Sequence, residues 1–320
     1  MIRTGFPHAG PTIGEVGEQE VIRSIVAAAP STVNGDDAAV LSQAAPNSRV
    51  VATTDMLVEG RHFRADLTTA YQLGRKAVVQ NFADIEAMGA RPTAALLAIS
   101  APPSLPLAVL TELAEGVHSK VEEYSSELVG GDVTGGDSLV VSLSAIGVLG
   151  GNRDPLTLSR ARPGQHIVAH GRIGYSAAGF ALLSAGVPIP AELEPLALQH
   201  QAPELTPGRG VIARAAGATS MTDNSDGLIR DLGHIASASH VGLDLDEDAI
   251  APDEALLAAG EALGIDPWTW VLGGGEDHTL LATIEGDAPI GFRTIGVVRR
   301  GAGVTVGGST PRYTAGWESF

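Results

Sequence analysis

Strand-like and helix-like segments alternate along this chain, and that alternation leaves few architectures open. Residues 50–52 form a short apolar run that ends in Thr53-Thr54-Asp55, and residues 94–99 read as a buried strand. Between them, residues 70–88 carry apolar side chains at helical spacing and stop at Gly89, a residue suited to closing a helix. Residues 105–124 read as a second helix, and residues 139–149 as a strand alternating Val, Ser and Leu. Gly150-Gly151-Asn152 breaks the pattern, so a boundary is expected there, with domains over 1–150 and 151–320. The same alternation resumes in the second half, with strands over 166–169 and 241–245 and helices over 175–185 and 228–239. Residues 188–207 contain five prolines and read as a connecting segment. A mixed α/β (α+β) class in two domains is expected, and 320 residues is a length that suits two domains. Aromatic residues are only 4% of the chain, so aliphatic side chains must fill its cores.

Charge narrows the chemistry. The formal net charge is −17, which argues against a nucleic-acid partner, because phosphate backbones select Lys and Arg. The chain has two lysines, Lys76 and Lys120, and no GxxxxGK[ST] sequence, so it is not a P-loop enzyme. If it handles phosphates, metal ions held by carboxylates are the obvious substitute for lysine. There is no cysteine, which excludes a disulfide scaffold, a thiolate zinc site and a cysteine nucleophile, and fits a reducing compartment. Residues 1–20 lack the apolar core of a secretory signal. The longest uncharged stretch, 92–111, holds four prolines that would break a spanning helix. A soluble, cytoplasmic chain with no membrane association is the expectation.

Acidic clusters punctuate the pattern: Gly35-Asp36-Asp37, Thr53-Thr54-Asp55, Gly130-Gly131-Asp132 and Asp223-Asn224-Ser225-Asp226-Gly227, with Asp84 inside the first long helix as a fifth site. Each is read as lying where an apolar segment ends or a helix begins, places that project side chains into clefts at sheet edges. Taken singly, each cluster is more often a turn or a helix cap, because Asp, Asn and Gly favour both. Taken together, they offer the hard oxygen donors that several divalent cations need. Two further patterns are set aside. Asp244, Asp246 and Asp248 have the spacing of an EF-hand opening, but Ala249 and Ala255 stand where that loop needs Gly and Glu, so a solvated strand end is expected. Gly273-Gly274-Gly275 alone is weak evidence of a nucleotide loop.

Read in order, residues 35–40, 53–63 and 81–90 (Asn-Phe-Ala-Asp-Ile-Glu-Ala-Met-Gly-Ala) resemble the AIR-synthetase-like, or PurM-like, superfamily. Val129-Gly130-Gly131-Asp132, Asp223-Asn224-Ser225-Asp226-Gly227-Leu228 and Gly273-Gly274-Gly275-Glu276-Asp277 narrow the resemblance to the thiamine-monophosphate kinase family, across nearly the whole chain. The resemblance implies a two-domain PurM-like fold whose N-terminal sheet domain forms a homodimer interface, and whose C-terminal α/β domain completes the nucleotide and substrate site. It implies ATP as co-substrate, thiamine monophosphate as acceptor and several Mg²⁺ ions. By the same resemblance Asp37, Asp55, Asp84, Asp132, Asp223 and Asp226 match metal ligands, and Thr53 and Thr54 match backbone or hydroxyl oxygens on metal. Gly131, Asp132, Arg153 and Ser225 match ATP contacts, and His62, Glu276 and Trp317 match substrate contacts. Two departures are visible: Ser319 stands where the family's ending has His, and Asn224 where Leu is commoner.

The chemistry agrees with the composition. Two polyanions must meet in an acidic site, which divalent cations make favourable. The acceptor phosphate is ionised at neutral pH, so positioning and charge neutralisation suffice without a strong base. Alternatives are another PurM-like ATP-dependent synthetase, opposed by the His62 and Gly-Gly-Glu-Asp segments, and a non-catalytic divalent-ion-binding relative. A selenophosphate synthetase lacks its N-terminal Cys here.

Overall fold

The computed structural model describes residues 2–31 and 46–316. Asp37 and Trp317 therefore lie outside the described residues. The chain divides into two compact units: residues 3–85 with 92–152, and residues 86–91 with 153–320.

In the first unit, α1 (Ile13–Val16) opens on a capping box in which the side chains of Thr12 and Glu15 each accept the other's backbone N–H. It is followed by α2 (Glu18–Ala28), β1 (Arg49–Val58), α3 (Ala70–Ala87), β2 (Arg91–Ala101), α4 (Leu107–Glu123), β3 (Glu127–Gly135) and β4 (Val140–Leu149). The four strands form one sheet in the order β1-β4-β2-β3. β1 and β4 run antiparallel in unbroken register from Arg49↔Leu149 to Val58↔Val140. β4 buries every second residue, among them Val141, Leu143, Ala145 and Leu149, as its alternation predicts. The other face stays open, with Val50 66%, Met56 53% and Leu96 39% exposed. α3 and α4 cross at two glycines: a Cβ on Gly74 would lie 2.2 Å from the Leu113 carbonyl, and one on Gly116 would lie 2.0 Å from that of Tyr71. Both lysines are buried, Lys76 at 2% and Lys120 at 0% exposure, and Lys120 Nζ donates to Glu123 Oε2 at 2.7 Å. Burial of a lysine requires such a partner.

The second unit contains β5 (His166–His170), α5 (Tyr175–Ser184), α6 (Glu194–Gln201), α7 (Arg209–Ala216), β6 (Ala218–Asp223), α8 (Leu228–Ser239), β7 (Gly242–Leu245), α9 (Glu254–Leu263), α10 (Trp268–Gly273), β8 (Leu280–Ile284), β9 (Arg293–Arg299) and β10 (Gly303–Val306). Its six strands are ordered β10-β7-β9-β5-β8-β6. The β10–β7 pair is parallel, while β7–β9, β9–β5, β5–β8 and β8–β6 are antiparallel. Leu182, Leu196, Leu232, Ile235, Trp270, Leu281 and Ile295 belong to its hydrophobic core.

The mixed α/β class is the one the alternation predicts. Several local expectations need correction. The run at 50–52 is the start of a ten-residue strand, so Thr53-Thr54-Asp55 lie within β1 and not at its end. Their burial alternates along β1, which lets polar residues occupy a strand whose open face is already half solvated. Gly130-Gly131-Asp132 likewise lie inside β3, a strand the glycines disguise. The proline-rich stretch 188–207 is not merely a connection: it holds α6, whose Pro195 sits in the first turn, where a missing N–H costs nothing. Asp244 is not a solvated strand end. It accepts hydrogen bonds from Thr305 Oγ1, Gly308 N and Arg299 Nε at 2.7–2.8 Å, which together hold its carboxyl below the usual range despite the opposing effect of burial.

Candidate active site

In the first unit, the β1 pleat sends Thr53 and Asp55 to the same face. Thr53 Oγ1 donates to Asp84 Oδ2 at 2.8 Å, and Asn81 Oδ1 accepts the Asp55 N–H at 3.0 Å. Asn81 in turn donates to Ala77 O, four residues back in α3. This stretch of α3 is thus locked onto β1, and Thr53, Asp55 and Asp84 come together as an oxygen-rich group. Thr54 points to the opposite face, where its hydroxyl meets Leu143 O and Ser144 Oγ. Its side chain is not part of the group, and only its backbone could serve a ligand there. Asp132 is exposed on β3, the strand at the other edge of the sheet. Beside it, Gly131 leaves no room for a side chain, because a Cβ would sit 1.9 Å from Leu97 O.

His62 closes the turn after β1. Its N–H reaches Val58 O at 2.9 Å, and its Nδ1 accepts the Val58 N–H at 3.1 Å. In the neutral ring this places the proton on Nε2.

In the second unit two loops meet. Glu276 N donates to Ser225 O at 2.8 Å, His278 N to Asn224 O at 3.1 Å, and Asn224 N to Thr279 O at 2.8 Å. The contact is close because Gly275 has no side chain, a Cβ there lying 2.1 Å from Ser225 O. Glu276 and His278 both hold left-handed backbones, φ 60° and 51°, a strained conformation characteristic of functional loops. Asp223, Ser225, Asp226 and Glu276 are thereby gathered. Asp223 is 6% exposed, pairs with His278 Nδ1 at 2.9 Å and accepts from Ser225 Oγ at 3.3 Å. Asn224, the residue that departs from the family pattern, is fully buried, and its side-chain amide meets no partner among the described residues. Arg153 stands apart: its guanidinium caps the end of α7 on Arg214 O and Ala215 O at 3.0 and 2.7 Å.

The sequence reading missed four residues. Asp231 accepts the N–H groups of Asp226 and Gly227 at 3.0 and 2.9 Å, and burial together with the charge of Asp223 pushes its carboxyl up to about 8. Asp226, Asp231 and His234 bring ligand atoms within 4.8 Å of one another. His278 and His200, the latter with Nδ1 3.5 Å from Glu276 Oε2, hold the two acidic loops. Spacing gave a signal only for Asp231, five residues after Asp226 at the first turn of a helical pattern.

Asp277 anchors the Glu276 loop. Its carboxylate takes the N–H groups of Gly174 and Ser176 at 2.6 and 2.8 Å. Burial pushes that carboxyl up to about 7, and burial does the same to Glu86, also to about 7. A raised carboxyl stays protonated in the fold while the unfolded chain ionises, so the native state binds more protons and stability falls as pH rises. The window runs from the ordinary value near 4 to about 7 for Asp277 and Glu86, and to about 8 for Asp231. The metal-free protein should therefore melt at a lower temperature at pH 8 than at pH 5.5. Scanning calorimetry in chelator checks this, and a melting temperature that rises across that interval would contradict it.

Comparison with known proteins follows the same lines. Residues 35–149 match the family model described as AIR synthase related protein, N-terminal domain. The chain is 61% identical to the thiamine-monophosphate kinase of Corynebacterium glutamicum over 97% of its length and 96% of the relative's. It is 46% identical to that of Mycobacterium tuberculosis, over 97% and 93%. Among solved structures, thiamine-monophosphate kinase from Stenotrophomonas maltophilia superposes with TM-score 0.78 at 31% identity, covering 91% of this chain and 96% of that one. AaThiL complexed with AMPPCP and TMP superposes with TM-score 0.78 at 29% identity, covering 96% and 98%.

Proposed function

Because the chain belongs to the thiamine-monophosphate kinase family, we propose that it transfers the γ-phosphoryl group of ATP to the phosphate of thiamine monophosphate, giving thiamine diphosphate and ADP. The observation that carries this reading is the gathering of Asp223, Ser225, Asp226 and Glu276 by two interlocked loops, with likeness to a structure holding AMPPCP and TMP in support. The transfer is in line and needs no phosphoenzyme: the chain has no cysteine, no histidine sits in a nucleophile motif, and the acceptor is already ionised.

Magnesium is the fitting metal. The donors are carboxylates and hydroxyls, with no thiolate anywhere in the chain, the set that a hard cation selects. Asp55, Asp84, the Thr53 oxygens and the Thr54 backbone oxygen would hold it in the first unit with Asp132 and Asp37; Asp223 and Asp226 would do so in the second. Bound magnesium supplies charge neutralisation between the two phosphates. Gly131, Asp132, Arg153 and Ser225 serve ATP, and His62, Glu276 and Trp317 serve the acceptor. In this assignment residues 1–150 are the ATP- and metal-binding, dimer-forming domain, and 151–320 carry the remaining nucleotide and substrate residues. The exposed Val50, Met56 and Leu96 are the apolar surface on which a second copy would pack; a monomer by light scattering at micromolar concentration would remove that part. No helix among the described residues is long and apolar enough to cross a membrane, in keeping with a cytoplasmic enzyme.

ADP release measured against a panel of acceptors tests the function. Turnover that requires both thiamine monophosphate and Mg²⁺ is expected, and ADP release with amide-bearing acceptors instead would favour a related synthetase. In the same assay His62→Ala should raise KM for thiamine monophosphate about tenfold or more with KM for ATP nearly unchanged.

A further inference from the structure

Arginines in this acid-rich chain normally find carboxylates: Arg64 pairs with Asp66, Arg75 with Glu123, Arg160 with Asp154, Arg299 with Asp244 and Arg312 with Glu247, all at 2.6–2.9 Å. Arg209, Arg293 and Arg172 of the second unit have hydrogen-bond partners of another kind. Arg209 Nη1 donates to Ile290 O at 3.1 Å, Arg293 Nη1 to Gly171 O at 2.7 Å, and Arg172 Nη1 to the Tyr175 hydroxyl at 3.2 Å. Their hydrogen-bond partners are two carbonyls and a phenol, and of the three Arg209 also acts electrostatically on Glu86. Two acids of the same unit also hold hydrogen bonds of their own: Glu86 takes the N–H groups of Gly208 and Gly210, and Asp253 takes the Tyr175 hydroxyl and caps the N-terminus of α9.

Two of these arginines, Arg209 and Arg293, act on one histidine, and Arg172 acts on Arg293. His170 Nδ1 lies 2.7 Å from Gly291 O, and its ring stands 5.4 Å from that of Phe292. Burial, and then the charges of Arg209 and Arg293, hold the imidazole below its usual value; burial and Arg172 likewise lower Arg293. Like charges have thus been crowded together on a chain whose net charge is −17. That arrangement is unfavourable unless an anion relieves it.

The patch lies close to the acidic loops. Asp223 faces Leu280 across β6–β8, and Leu280 faces His170 across β8–β5. Residues directly opposite share a face, so His170 and Asp223 are two strand spacings apart, about 10 Å. We propose that His170, Arg172, Arg209 and Arg293 form a metal-independent subsite for a multiply charged phosphate, with pyrophosphate as its simplest occupant. Guanidinium forks match phosphate oxygens in pairs, and a diphosphate is long enough to engage several at once. The subsite does not depend on the kinase reading, because it needs neither divalent cation nor acceptor.

Titration calorimetry of the full chain in EDTA tests it, with pyrophosphate, inorganic phosphate and ADP as separate titrants. Saturable pyrophosphate binding with Kd below about 1 mM is expected. Arg172→Gln and Arg293→Gln should each weaken it about fivefold or more, and the pair of changes more than either alone. ADP binding as tightly as pyrophosphate would assign the subsite to a nucleotide's phosphates, and pyrophosphate alone to a free anion; both support it. In the unmodified protein the His170 ring protons should titrate at higher pH when pyrophosphate is present, which keeps the test decisive if a variant does not fold. Absence of binding without metal, equal binding by the double variant, or an unmoved His170 titration would overturn the proposal.

Discussion

Asp84→Asn is expected to lower turnover by about 10²-fold or more while leaving the fold intact. The amide keeps the size of the carboxylate and an oxygen for the Thr53 hydroxyl, now 2.8 Å from Asp84 Oδ2, so the tie between α3 and β1 survives. What it removes is one negative charge from the group formed with Asp55. If magnesium is held there, affinity for the metal should fall with turnover, and excess Mg²⁺ should restore part of it. The melting temperature of the metal-free protein should hold or rise, because carboxylate repulsion is relieved. Kinetics across a magnesium series, with circular dichroism as the control, decide the matter. A variant that unfolds while its folded remainder keeps normal specific activity would make Asp84 a structural residue.

Gly131→Ala is expected to cost about 3 kcal/mol or more of stability, whatever ligand the site takes. Gly131 stands opposite Leu97 in the β2–β3 pair, and its Cβ would lie 1.9 Å from the Leu97 carbonyl oxygen. A backbone atom cannot swing aside as a side-chain tip can, so the pair must open. Gly130→Ala is the matched control. The nearest atom there is Leu96 Cδ2 at 3.2 Å, the end of a flexible and partly exposed side chain. It should cost under about 1 kcal/mol. Denaturant unfolding of both variants checks the contrast, and equal losses would show that close approach to Leu97 is not what excludes a side chain at 131.

These two glycines also show where the sequence is hard to read. β4 and α3 announce themselves, one by strict alternation and the other by helical spacing closed at Gly89. β3 does not, because Gly130 and Gly131 suppress the apolar signal for a reason that lies in a neighbouring strand. The acidic residues were visible as chemistry before their placement was. Asp223 and Asp226 do stand at a strand end and a helix start, as their flanking residues suggest. Thr53 and Asp55 are mid-strand, and their meeting with Asp84 depends on the relation of β1 to α3, which spacing along the chain cannot express. Asp277 reads as part of a motif, yet its partners are backbone N–H groups of Gly174 and Ser176, invisible in any pattern of side chains. The carbonyl-held arginines are equally silent, since nothing in a sequence tells a paired guanidinium from an unpaired one.

The burial of Lys76 and Lys120 has a consequence for handling and modifying this protein. Both lysines are 2% exposed or less, and there are no others in the sequence. An amine-directed reagent, whether an acylating enzyme or an ester-activated dye, finds no lysine on the folded surface. The positive charge that the surface carries is guanidinium and imidazole, and guanidinium is neither acetylated nor titrated away under ordinary conditions. Acylation of a lysine should therefore report unfolding: either amine becomes reactive only when α3 or α4 opens, so its labelling rate is a clock for the stability of the helices that sheathe the first sheet.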